Sequence, residues 1–288
     1  MKFQALGKTG LNVSAVSYGG IVSMKDGQEA SDRYVSWAID QGINYFDVAP
    51  TYGDAQEKLG LSLKPYRKDV YLACKTGRRL RADAEHELAQ SQQLLHTDYF
   101  DVYQLHAISN MQDVETAFGN GGVMEMVSTL KQKGIARKVG ITAHNEDAAI
   151  RCLELYDFDT ILFPFNWFMH MEHGMGSRLL EVAKQKGMGI LCMKAFIERK
   201  WNSPEERDSS LFPKSWCKPI DVDDKAFGTA AMKYALSLGV DTLIPPGNFA
   251  SFSFAVNHIN ECLANPLNEE DMKLLREKLN TVRGKEFF

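Results

Sequence analysis

"INYFDVAPTYGD", residues 43 to 54, runs from a short apolar stretch straight into a turn containing proline and glycine, with Asp47 closing the apolar run and Tyr52 just past it. A run of that length bounded by turn residues reads as a short strand buried on both faces. Seven more such runs lie on either side: "VSAVSYGG" (13–20), "DVYLACK" (69–75), "FDVYQLH" (100–106), "ARKVGIT" (136–142), "DTILFPF" (159–165), "GMGILCMK" (187–194) and "VDTLIPP" (240–246). Between them stand segments with apolar residues at helical spacing, among them "DRYVSWAIDQG", "ELAQSQQLL", "VMEMVSTLKQKG", "EDAAIRCLELY", "SRLLEVAKQKG" and "KAFGTAAMKYALSLG", several ending in Lys and Gly as helix C-termini do.

Strand and helix alternating eight times predicts an α/β fold of the (β/α)8 TIM-barrel type, one domain over residues 1–288, whose strands are continuously apolar because a parallel sheet is covered on both faces. A doubly wound sheet is the competing architecture, but no G-x-G-x-x-G follows the first strand. The polar, proline-containing segment 195–224 is expected to be a long loop at the C-terminal mouth of the barrel, and the tail after Pro266 one capped helix starting from Asn268.

Composition narrows the partners. The 288 residues carry a net charge of -4 with no Lys/Arg-rich run, which argues against nucleic acid and membrane surfaces and leaves a small molecule. No window approaches the length of a membrane span, no signal-peptide core opens the chain, and the five cysteines are scattered, so a reduced cytoplasmic protein, monomeric by default, is expected.

Barrel chemistry sits at the C-terminal strand ends. The second run ends at Asp47 with Tyr52 beyond it, the third at Lys75 and the fourth at His106. A phenol gives up its proton reluctantly near neutrality; an adjacent ammonium stabilises the phenolate, and a carboxylate behind the ammonium keeps it charged and aimed. Asp47, Lys75 and Tyr52 can form that relay, and His106 can hydrogen-bond a carbonyl oxygen on which charge develops.

These residues in their context resemble the aldo-keto reductase superfamily. "LGKTGLNVSAVSYGG" is similar to its N-terminal β-hairpin and first strand, "INYFDVAPTYG" to its Asp/Tyr segment, "ACKTG" and "YQLHAI" to its Lys and His segments, and "ARKVGITAH" to its fifth strand. The likeness covers nearly the whole chain in order. It implies a nicotinamide dinucleotide extended across the barrel mouth, hydride transfer to a carbonyl, and Asp47, Tyr52, Lys75 and His106 as the catalytic tetrad. Nucleotide contacts are implied at Gly20, Asp47, Thr142, Asn166, Met193, Lys194, Gly247 and Asn257. NADP(H) is the family's usual cofactor, but no Lys or Arg lies between Ile244 and Asn257 to meet a 2'-phosphate, so NAD(H) stays open.

Trp167, Trp201 and Trp216 are expected on mouth loops as an aromatic wall for a carbonyl or alcohol substrate. Two other functions fit the residues: a nucleotide-binding sensor or regulatory protein with little turnover, and a metal-dependent hydrolase using His106, His144, His170 and His173. The pair His170 and His173 lacks a third ligand at defined spacing, so no metal is expected.

Overall fold

The computed structural model describes residues 1–287. The first strand, β1 (Phe3–Ala5), pairs antiparallel with β2 (Asn12–Ser14). Eight parallel strands follow in one sheet: β3 (Tyr18–Gly19), β4 (Tyr45–Asp47), β5 (Tyr71–Thr76), β6 (Phe100–Ile108), β7 (Ala136–Ala143), β8 (Thr160–Phe163), β9 (Gly189–Met193) and, after the short pair β10 (Ile197–Arg199) and β11 (Lys218–Pro219), β12 (Thr242–Ile244). Neighbours in the sheet follow chain order from β3 to β9, with β12 last. The circle is closed by backbone bonds just before β3, where Ser17 donates to Leu243 O at 2.8 Å and Leu243 donates to Ala15 O at 3.0 Å. The protein is a (β/α)8 barrel.

Period-two alternation sorts the strand residues into two cores. Phe46, Leu72, Cys74, Tyr103, Leu105, Ile161 and Cys192 face outward and pack under the helices. Tyr45, Ala73, Val102, Leu162, Leu191 and Ile244 face inward, plugged from below by Leu6, Leu11 and Val13 of the hairpin. Because the period is two, Asp47, Lys75 and Gln104 point inward as well, one step nearer the mouth than Tyr45, Ala73 and Val102. The barrel interior therefore changes from apolar at its base to ionic at its top.

The helices lie where the spacing places them, with one exception. Of the segment "VMEMVSTLKQKG" only Met124–Val127 is α-helical, the rest running as turns to Gly134 at φ 69°. Residues 195–224 are more ordered than a loop: β10 and β11 pair across them and Pro204–Asp208 forms a short helix capped by the Ser203 hydroxyl. The tail is one helix, Glu269–Val282, with Asn268 and Asp271 making a reciprocal capping box. Among the described residues, no helix is long and apolar enough to cross a membrane.

Candidate active site

Asp47 ends β4, Lys75 lies next to the last residue of β5, His106 lies in β6, and Tyr52 sits in the turn between β4 and the helix Ala55–Leu63. The Lys75 Nζ donates to Asp47 Oδ1 and, at 3.4 Å, to Val48 O. Gln104 Nε2 holds the other carboxylate oxygen of Asp47 at 2.9 Å. Gly140, opposite Gln104 in the β6–β7 register, leaves it room, since a Cβ there would collide with Thr160 Oγ1 and stand 3.0 Å from Gln104 Cγ.

The protonation states follow from burial and charge. Burial lowers the Lys75 pKa, but attraction to Asp47 and Tyr52 more than offsets it, so the lysine is held above its ordinary value and stays charged. The Lys75 Nζ lies 5.3 Å from the Tyr52 ring centroid. Burial raises the Tyr52 phenol and Lys75 opposes that without cancelling it, so Tyr52 is protonated at neutral pH. The ring of His106 stands edge-on to Tyr52 with centroids 5.8 Å apart. Burial, reinforced by Lys75, His144 and Arg79, pushes the His106 pKa down to about 3, so its imidazole is neutral and can donate a hydrogen bond.

His106 owes its aim to an irregularity. The β6–β7 register shifts between Leu105 and Ile108, and Ala107 takes the left-handed φ of 55°. That corner is pinned from two sides. Thr142 Oγ1 accepts from Ala107 N at 2.7 Å, and Arg79 Nη2 donates to His106 O at 2.8 Å and Ala107 O at 3.1 Å. Arg79 is itself tied to Asp113, with Nε and Oδ1 3.2 Å apart. Thr142, expected at the nicotinamide, braces the corner after His106 and is not among the residues lining the cleft. Gln104 and Arg79 were not among the residues anticipated; Gln104 could have been found from its two-residue offset from His106, whereas nothing local marks Arg79.

A cleft opens beside Tyr52, lined by Asp47 and Tyr52, by Leu162, Met193 and Lys194, and by Pro245, Pro246 and Gly247. Gly247 packs so closely on Ile21 that any Cβ would collide with it. Gly20, expected at the nucleotide, is buried and not among the residues lining the cleft; a Cβ there would come within 2.7 Å of Val48 Cγ2. Lys194, at φ 64°, has its pKa lowered by burial.

Other expected residues lie elsewhere. Asn166 is fully buried with its amide engaged: it accepts from Phe168 N and Met169 N and donates to Lys194 O at 2.7 Å and Ile197 O at 3.1 Å. It braces the strand end instead of lining the cleft, where Leu162 stands. Trp167 is not on the mouth wall; it is fully buried against Phe227, its Nε1 donating to Ile197 O at 2.9 Å. Trp201 is turned away, donating to Ser215 O at 2.8 Å and lining a separate surface hollow. Trp216 is on the cleft, half exposed and edge-on to Tyr52 at 5.4 Å. Asn257 is exposed on the helix Phe249–Ala264, outside the cleft lining. His170 is held by Tyr234 Oη at 2.7 Å and Ser177 Oγ at 3.2 Å, and among the described residues no three His, Cys, Asp or Glu gather in a metal-binding group.

The sequence profile of the Aldo/keto reductase family matches residues 19–280. The chain belongs to that family. L-galactose dehydrogenase of Arabidopsis thaliana is 29% identical over 273 residues, covering 82% of this chain and 81% of the relative. D-threo-aldose 1-dehydrogenase of a Pseudomonas species is 23% identical over 230 residues, 67% of this chain and 68% of the relative. The solved structure of aldo-keto reductase AKR11C1 from Bacillus halodurans in its holo form shares the fold, with a TM-score of 0.72 and 21% identity over 96% of both chains. The family and its oxidoreductase members support a nicotinamide-dependent oxidoreduction by this chain.

Proposed function

We propose that this chain transfers hydride between a nicotinamide dinucleotide and a small carbonyl or alcohol, with Tyr52 as the proton donor or acceptor. The observation that carries the reading is the protonated, buried Tyr52 between a charged Lys75 and a neutral His106 on the wall of a cleft. The cleft fits the cofactor: its walls at Leu162, Met193 and Ile244 suit an apolar ring, and the backbone at Gly247 leads to a helix N-terminus suited to phosphate. When bound, the nicotinamide supplies or accepts the hydride.

The rest is the work of the side chains. His106 donates to the substrate oxygen and orients it, and Tyr52 protonates that oxygen as charge builds on it. Lys75 stabilises the phenolate left behind, and Asp47, clamped by Gln104, holds Lys75 charged and in place. Trp216 and Ile21 form the apolar edge of the substrate site. In the oxidising direction the same proton returns to Tyr52. All four tetrad positions are filled, which favours turnover over nucleotide sensing, and two relatives named as sugar dehydrogenases make aldoses the first substrates to assay.

Titration with NADH and NADPH, followed by quenching of tryptophan fluorescence, should show binding of at least one at micromolar concentration. Tyr52→Phe should leave that affinity within about twofold while turnover falls by roughly a hundredfold or more. A fully active variant would remove Tyr52 from the role.

A further inference from the structure

Beside the cleft lies a second hollow, lined by Asp26, Phe212, Asn248 and Phe249, with Lys214 on the wall of both. The Lys214 Nζ crosses from the segment after Pro204–Asp208 to the opposite rim, donating to Asp26 Oδ2 at 2.6 Å and to Val22 O at 2.9 Å. Asn248 heads the helix Phe249–Ala264, accepting from Ser251 N at 2.8 Å and donating to Ser215 Oγ at 3.2 Å. Loop and helix start are therefore joined at this hollow. On the reading proposed above, on which this inference rests, a dinucleotide with its nicotinamide beside Tyr52 extends past Gly247 and brings its adenosine ribose here.

The charges at that point are specific. Among the described residues lining the hollow, Lys214 is the only cation and Asp26 the only acid, and they are paired with each other. The turn and helix start from Ile244 to Asn257 contribute no Lys or Arg. A 2'-phosphate carries between one and two negative charges near neutrality and needs a cation free to meet it. Lys214 already faces a carboxylate and a carbonyl, and Asp26 repels the phosphate. A ribose with both hydroxyls free brings no charge and can donate to the lone pairs of the carboxylate that Lys214 leaves open.

We infer that Asp26 selects the cofactor: by neutralising Lys214 and presenting a carboxylate to an unphosphorylated ribose, it makes the chain bind NAD(H) in preference to NADP(H).

The test is the ratio of the NADPH and NADH dissociation constants at one fixed ionic strength, for the intact chain, Asp26→Asn, and Asp26→Asn with Lys214→Met, each checked by thermal melting. The unaltered chain should bind NADH more tightly. Asp26→Asn should shift the ratio toward NADPH by on the order of tenfold, because it both removes the repulsion and frees Lys214, and the double variant should lose that gain. Preference for NADPH in the unaltered chain, or a ratio that Asp26→Asn leaves unchanged, would overturn the inference. Binding of neither nucleotide would instead overturn the proposed function, a result distinct from any shift of preference.

Discussion

Lys75 with Asp47 and Lys214 with Asp26 are the same ion pair built twice along one cleft, once on barrel strands and once between loops. The first is sealed, its side chains 0% and 3% exposed; the second is open, at 12% and 31%. In the sealed pair neither partner can turn to water if the other is lost, and Gln104 leaves Asp47 no freedom to move. In the open pair each partner has solvent as a substitute. The chemistry of the residues is identical; the surroundings decide whether the pair fixes a proton inventory or only fastens a loop and sets the local charge.

The sharpest test of that contrast is Lys75→Met. It strands the Asp47 carboxylate in the barrel, and unfolding in urea at pH 7 should show a loss of about 3–5 kcal/mol together with loss of turnover. Adding Asp47→Asn should restore much of the stability and none of the turnover. A Lys75→Met protein as stable as the parent would break the comparison.

Acid provides the next test. His106 and His144 are both pushed by burial down to about 3 from an ordinary value of 6.5, with Lys75 adding to the effect on the first and Lys194 on the second. The unfolded chain binds their protons more readily than the folded chain, so the stability they confer is present above pH 6.5 and drains as pH falls toward 3. Each should remove on the order of 1 kcal/mol per pH unit in that window. His106→Gln should flatten the slope of unfolding free energy between pH 6.5 and 5, and an unchanged slope would show that His106 is already charged in the folded state.

The smallest effect belongs to the open pair. Lys214→Met should cost less than about 1 kcal/mol of stability, and the difference from the parent should shrink in high salt. A loss as large as that of Lys75→Met would mean the loop is part of the core.

How far the sequence could be read follows the same division. Asp47, Lys75 and His106 were legible because they end or nearly end strands, and a strand end in a barrel has one place to go. Tyr52 follows from the short turn that must leave β4. The strand runs themselves were visible as apolar stretches, except that "VSAVSYGG" is split between β2 and β3, the hairpin taking the first half. Asn166, Trp167 and Trp201 were misplaced because each is held by backbone carbonyls far along the chain, and no local pattern announces such a partner. Residues 195–224 looked irregular because β10 and β11 are short and polar and pair at only two positions, Ile197 opposite Pro219 and Arg199 opposite Lys218, with a register shift between them. Gln104 was visible in "YQLH", but its reach to Asp47 depends on the space left by Gly140 on the next strand.

The closing of the barrel has a consequence for how the chain is made. Gln4 Nε2 donates to Asp241 O, Gly7 N to Asp241 Oδ2, and Ser17 N to Leu243 O, the first two pairs separated by 237 and 234 residues. On the ribosome, Asp47, Tyr52, Lys75 and His106 have all emerged while β12 is still unmade. Until it arrives the sheet has two open edges, one of them β3, and Asp47 on β4 and Lys75 on β5 lie close to that edge. The long-range closure that completes the barrel makes this a slow-folding topology.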